Sequence, residues 1–134
     1  MKKVVIFGAA GHTGKYITEK MKSADDIELS VFVRNPEKFS DMDITGVRGL
    51  MLNMYAKQRP EYIEAADTIA ASKAVTTLLR CPGIKDGDNT KYFLTKEGVQ
   101  PAHKDIDRAG IAQCMYDLID DESVGVNDSL GITN

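Results

Sequence analysis

The sharpest chemistry in this 134-residue chain lies near its start, where Gly8-Ala9-Ala10-Gly11-His12-Thr13-Gly14 spaces three glycines as GxxGxxG. That spacing suits phosphate: Gly8 can make a tight turn out of a strand, Gly11 lets backbone approach a diphosphate, and Gly14 lets a following helix pack closely on that strand. The amino end of such a helix offers unpaired N–H groups and the positive end of its dipole, so phosphate oxygens need neither lysine nor metal there. A second group follows at Arg34, Asn35 and Pro36, where an acid would stand if the ligand carried a free ribose diol. A guanidinium can instead pair with a ribose 2′-phosphate that an acid would repel, and the Asn35 amide can assist. The predicted contact set is Gly8, Ala10, Gly11, His12, Thr13, Gly14, Arg34 and Asn35, and the cofactor it fits is NADP rather than NAD. For His12 two readings stand: its ring touches the cofactor, or it faces solvent while neighbouring N–H groups bind.

These residues can act together only if the chain brings them to one edge of a sheet. Val4 to Phe7 is an unbroken β-branched and aromatic run, as in a strand buried on both faces. Thr13 to Ala24 reads as a helix with Ile17 and Met21 on its inner ridge, and Ile27 to Val33 as a second strand. A right-handed crossover would set the two strands parallel, with both carboxyl ends beside the glycine loop. Phe39 to Met42 reads as a short helix or turn, Ile44 to Val47 as a third strand, and Leu50, Met51, Leu52 and Met54 as core or interface residues. A helix is expected from Pro60 to near Ser72, and a strand from Val75 to Leu79 ending in the Arg80-Cys81-Pro82-Gly83 turn. Asp86-Gly87-Asp88-Asn89 reads as a turn with its acids in solvent, and Lys91 to Thr95 as a short edge strand. Asp107 is placed to cap a final helix, Arg108 to Ile119, with Ile111, Cys114, Met115, Leu118 and Ile119 inward; Leu130 to Ile132 would pin the tail at a sheet edge.

Bulk composition narrows the function classes. With 17 Lys plus Arg against 20 Asp plus Glu, the chain lacks the basic excess of an extensive nucleic-acid footprint. No apolar run reaches membrane-crossing length, and the run after Met1-Lys2-Lys3 stops at the glycine turn without a signal-cleavage pattern, so a cytoplasmic location is expected. Two cysteines, Cys81 and Cys114, exclude a multi-bridge framework or an all-cysteine metal cluster within one subunit. Cys81 could neighbour a substrate, and Cys114 is expected to pack on the last helix. His103 has no partner at metal-ligand spacing, so no metal site is predicted. The expected class is α/β: one compact Rossmann-like three-layer domain over residues 1–134, with a reduced, mostly parallel sheet.

The glycine loop, together with Val33-Arg34-Asn35-Pro36-Glu37-Lys38, resembles the atypical short-chain dehydrogenase/reductase family, especially its NmrA-like NAD(P)H-binding proteins. Leu79-Arg80-Cys81-Pro82-Gly83-Ile84 is similar to that family's Leu-Arg-Pro-Gly segment, Asp107 to Ala112 to the start of its penultimate helix, and Asn127-Asp128-Ser129-Leu130-Gly131 to its closing strand. Against the family pattern the interval between Gly49 and Pro60 is too short for a fourth strand, a covering helix and a fifth strand, which implies an internal deletion. Tyr62 falls in the family's tyrosine-bearing helix, but Ala66 stands where a catalytic lysine would follow, so the catalytic residues stay unassigned. The resemblance implies an NADP-binding oxidoreductase that passes hydride to a small acceptor such as a quinone, flavin or carbonyl. The alternative is a non-catalytic redox sensor or regulator that keeps only the binding. With strands missing, Val75 to Leu79 could move beside the first strand, or a second copy of the chain could cover the exposed edge as a homodimer.

Overall fold

A computed structural model describes residues 1–9, 11–32, 48–54, 71 and 75–134. Strand β1, Lys2–Phe7, leads through the glycine loop into helix α1, His12–Lys22, and the chain returns as β2, Ile27–Phe32. The two strands pair in parallel with Lys2 opposite Ile27 and Phe7 opposite Phe32, so both end level at the edge where the glycine loop begins. This is the expected βαβ unit. Ile17 and Met21, four positions apart on α1, are both buried, as the apolar ridge predicts.

A second sheet is ordered β3-β4-β8-β6, from β3, Arg48–Met54, β4, Val75–Cys81, β6, Phe93–Lys96, and β8, Asp128–Thr133. β3, β4 and β8 run parallel, and β6 is antiparallel to β8. A third, two-stranded set joins β5, Gly83–Lys85, to β7, Asp105–Asp107. Pro82 separates β4 from β5: without an N–H it cannot extend the β4 ladder, and the chain turns away to a new partner. β7 runs directly into helix α2, Arg108–Asp120.

Several expectations change. Leu50, Met51, Leu52 and Met54, expected only as core or interface residues, lie in a strand, and Gly49 is part of that strand rather than the end of an earlier one. Both edges of β4 are taken, by β3 and β8, so β4 does not move beside β1. The tail segment at Leu130 to Ile132 is interior, flanked by β4 and β6, and its side chains are buried. The expected strand at Ile44 to Val47, the Phe39 to Met42 turn and the helix from Pro60 to near Ser72 lie outside the described residues, as does the helix layer that the last of these would supply.

The two described helices pack against each other, and Lys20 Nζ lies 5.1 Å from the centre of the Tyr116 ring across that contact. One buried cluster joins Val4 and Ile6 of β1, Ile17 and Met21 of α1, Leu79 of β4, Ile106 of β7, Ile111, Cys114 and Leu118 of α2, and Leu130 and Ile132 of β8. Lys2 ties the first strand to the last helix, its Nζ donating to the carbonyls of Ile119 at 2.7 Å and Asp120 at 2.8 Å. Those carbonyls end a helix whose last turn has no basic residue of its own, so a distant lysine serves the negative end of its dipole.

Candidate functional site

The glycine loop is a tight turn closed by backbone. Gly8 has φ of +74°, a left-handed conformation that a glycine takes without penalty. The Gly11 N–H donates to the Gly8 carbonyl at 3.0 Å, and the Lys15 N–H donates to the Gly11 carbonyl at 2.9 Å to begin the helix. Gly11 is therefore the N-cap, and the N–H groups of His12, Thr13 and Gly14 are those that helix geometry leaves without an intrahelical partner. The first turn carries no acidic residue to occupy them. Gly14 is the most confined: a Cβ there would run into the Gly8 carbonyl oxygen and lie 2.9 Å from the Gly8 carbonyl carbon and 3.0 Å from Ala9 Cα. The helix can thus approach the strand end only because position 14 has no side chain. Gly8, Gly11 and His12 are exposed, Thr13 and Gly14 half-buried, and Ala9 is buried beneath them.

The loop geometry fits a diphosphate. It offers three N–H donors at a positive helix end, no competing carboxylate in the first turn, and a backbone surface from which a Cβ is excluded at Gly14. Of the predicted contacts, Gly8, Gly11, His12, Thr13 and Gly14 come together here. Ala10, Arg34 and Asn35 lie outside the described residues, as do Tyr62 and Ala66. β2 ends at Phe32, opposite the last residue of β1, at the edge where the loop begins.

The second half of the chain reaches the loop through Arg108, the first residue of α2, which the sequence reading gave no role. Its Nε donates to Thr13 Oγ1 at 3.3 Å, across 95 positions of chain, and its Nη1 donates to Asp86 Oδ1 at 2.7 Å. Asp86 is therefore not a plain solvent acid, although its side chain is 72% exposed while that of Arg108 is 15% exposed. The neighbouring loop wraps the start of the helix. Asn89 N–H donates to Asp107 Oδ2 at 3.2 Å, Lys85 Nζ lies 3.7 Å from Asp107 Oδ1, and Gly87 sits so close to the Asp107 carboxylate that a Cβ would strike it. Asp107 occupies the expected N-cap position but makes no side-chain cap bond, because its carboxylate is turned to this loop. Asn134 completes the tie: its Oδ1 accepts the Asp107 N–H at 3.0 Å, and its Nδ2 donates to the carbonyls of Asn89 and Lys91.

Both thiols are buried. At Cys81, burial reinforced by nearby Cys114 pushes the thiol up to about 12. Burial, with the Asp117 carboxylate beside it, does the same to Cys114, also to about 12, although a hydrogen bond with Tyr92 acts the other way. Tyr92 donates to Asp117 Oδ2 at 2.7 Å, and burial together with that bond raises its phenol well above the usual range. His103 is exposed beside Phe93, with ring centres 5.3 Å apart. Among the described residues no three His, Cys, Asp or Glu side chains gather to hold a metal, and no helix is long and apolar enough to cross a membrane.

Comparison with known proteins bears on this geometry. The fold is shared with a Rossmann-fold NAD(P)-binding family protein from Shigella flexneri, at 20% identity and a TM-score of 0.81 over 100% of this chain and 94% of that one. It is shared with a short-chain dehydrogenase/reductase of Veillonella parvula DSM 2008, solved in complex with NADP, at 16% identity and a TM-score of 0.78 over 99% and 94% of the two chains. A Streptococcus pneumoniae TIGR4 protein described as a candidate NADH-flavin reductase aligns at 13% identity and a TM-score of 0.77, covering all of both chains. These likenesses establish the α/β Rossmann-like class. No curated protein matches the sequence. The sequence pattern of one family, described as NAD(P)H-binding, matches residues 46–122, a span that contains Arg108 but not the glycine loop to which Arg108 is bonded. With more than half of its length matched, this chain belongs to the NAD(P)H-binding family.

Proposed function

We propose that the chain binds NADP across the glycine loop and acts as an oxidoreductase, passing hydride to a small acceptor such as a quinone, flavin or carbonyl. The observation that carries the reading is the close approach of Gly14 to the Gly8 carbonyl, which brings an uncapped helix end against the strand edge where a dinucleotide diphosphate docks in such folds. Membership of the NAD(P)H-binding family, the NADP complex of the Veillonella protein and the flavin-reductase description of the Streptococcus protein support the same direction. The NmrA-like assignment and the shortened middle belong to this proposal too, on the strength of the 33–38, 79–84 and 127–131 segments.

When bound, NADPH supplies the hydride. The N–H groups of His12, Thr13 and Gly14 hold the diphosphate oxygens, Gly8 and Gly11 turn the backbone clear of them, and Arg34 with Asn35 pairs with the 2′-phosphate. Transfer to a flavin or quinone does not demand the tyrosine–lysine proton relay that Ala66 makes doubtful.

Calorimetric titration with NADPH and NADH tests the binding. Arg34→Ala should weaken NADPH by roughly ten- to a hundred-fold, the scale of lost charge-assisted hydrogen bonds, while NADH changes little. Equal losses for both would reject Arg34 as the selector. NADPH oxidation with a panel of quinones and flavins tests the chemistry, and tight binding without turnover on any of them would convert the reading to the sensor alternative.

A further inference from the structure

We infer that Arg108 is a positioning residue of the dinucleotide site, delivered from the second half of the chain to orient the Thr13 hydroxyl toward the diphosphate. The inference rests on the NADP-binding reading above. Its own basis is the Arg108 Nε bond to Thr13 Oγ1 at 3.3 Å, in the same helical turn whose N–H groups lack intrahelical partners. A threonine hydroxyl has one proton to give and lone pairs to receive. With a guanidinium N–H directed at its oxygen, one lone pair is taken and the hydroxyl proton points away from Arg108, and phosphate oxygens at neutral pH chiefly accept such a proton. The pairing therefore favours the hydroxyl orientation a diphosphate needs.

The guanidinium is held in place. Nη1 is bonded to Asp86 at 2.7 Å, the side chain is only 15% exposed, and the first residues of α2 are tied down by Asn134 and by the loop around Asp107. Gly110, on the next residues of the helix, is crowded by Asn134 Nδ2 at 2.8 Å and Ile106 Cδ1 at 3.0 Å from where a Cβ would stand, so α2 begins close against its surroundings. A planar fork fixed through two of its nitrogens keeps its direction toward Thr13, which a flexible lysine would not. The arrangement also joins the family-matched span, residues 46–122, to a glycine loop that lies outside it.

The diphosphate is common to NADPH and NADH, which separates this residue from Arg34. Arg108→Gln should weaken both dinucleotides by about the same factor, roughly ten-fold. Thr13→Val should do likewise, and the double variant should lose little more than the larger single loss, because the two residues act as one unit. Full thermal unfolding curves of each variant establish that the loss is measured on folded protein. Should Arg108→Gln fail to fold, Arg108→Lys, which retains the charge and loses the Nε bond, takes its place in the cycle. Wild-type protein that binds neither dinucleotide would remove the underlying reading. Wild-type binding with an unaffected Arg108 variant, with strictly additive losses, or with a loss confined to NADPH would overturn the role of Arg108 and leave the glycine-loop reading intact.

Discussion

Gly8 and Gly14 are both indispensable to the loop, for different physical reasons that mutation can separate. At Gly8 there is open space around a would-be Cβ, and the constraint is the φ of +74°. Gly8→Ala should therefore cost about 1–2 kcal/mol of stability, the penalty of the left-handed backbone alone. At Gly14 the obstacle is the Gly8 carbonyl, which is backbone and cannot rotate away. Gly14→Ala should cost about 1–3 kcal/mol and also splay the helix from the strand, so dinucleotide affinity should fall with it; denaturant midpoints and calorimetry read the two effects. The buried thiols carry a pH prediction. Cys81 and Cys114 keep their protons in the folded state until about 12, whereas in the unfolded chain they ionise near the ordinary value of 9.0. Because the folded state binds the extra protons, their contribution is intact below pH 9.0 and is lost as pH climbs toward about 12. Urea unfolding should show a falling midpoint over that window, and thiol reagents should react with native protein at neutral pH far more slowly than with unfolded protein.

At the level of elements, the strands and helices with a strong local pattern were legible and their neighbours were not. The Val4 to Phe7 strand follows from an unbroken β-branched and aromatic run, the Ile17/Met21 ridge and the inward stripe of α2 from helical period, and each is found within a few residues of its expected bounds. Strand β8 was expected at an edge because Leu130 to Ile132 is short and flanked by turns, yet it lies between β4 and β6. An interior and an edge strand of that length share the same local pattern, so only the partners distinguish them. The same holds for Lys2, whose contacts at the end of α2 span 117 and 118 positions of chain. Lys2→Met should destabilise by about 0.5 kcal/mol at low salt and less at high salt, since Lys2 and Asp120 are 35% and 65% exposed and their charge pairing is screened. Denaturant titration at two ionic strengths measures this.

For the whole molecule, stability should centre where the sheet and both helices meet. Leu79 and Ile132 are fully buried on β4 and β8, the two interior strands of their sheet, and Ile111 is fully buried on α2 beside them in the same cluster. Leu79→Ala should cost about 2–5 kcal/mol, the range for a large buried aliphatic side chain whose cavity cannot fully collapse. Native-state hydrogen exchange should show the β4 and β8 amides as the most protected and those of β6 as the least, since β6 has one described partner and carries a half-exposed Phe93. Uniform protection across the sheet would contradict this distribution of stability.

The sequence by itself determined the local chemistry: a glycine-spaced turn at a helix start, an amphipathic first helix and a buried last one, because backbone freedom and hydrophobic period are properties of neighbouring residues. The tertiary structure alone decided which strands share an edge, that Asp107 turns from capping its helix to holding the 85–89 loop, and that Arg108 meets Thr13. Such contacts bring together groups far apart in the chain, and their energies depend on where the packed core sets each backbone, a quantity no short window of residues contains.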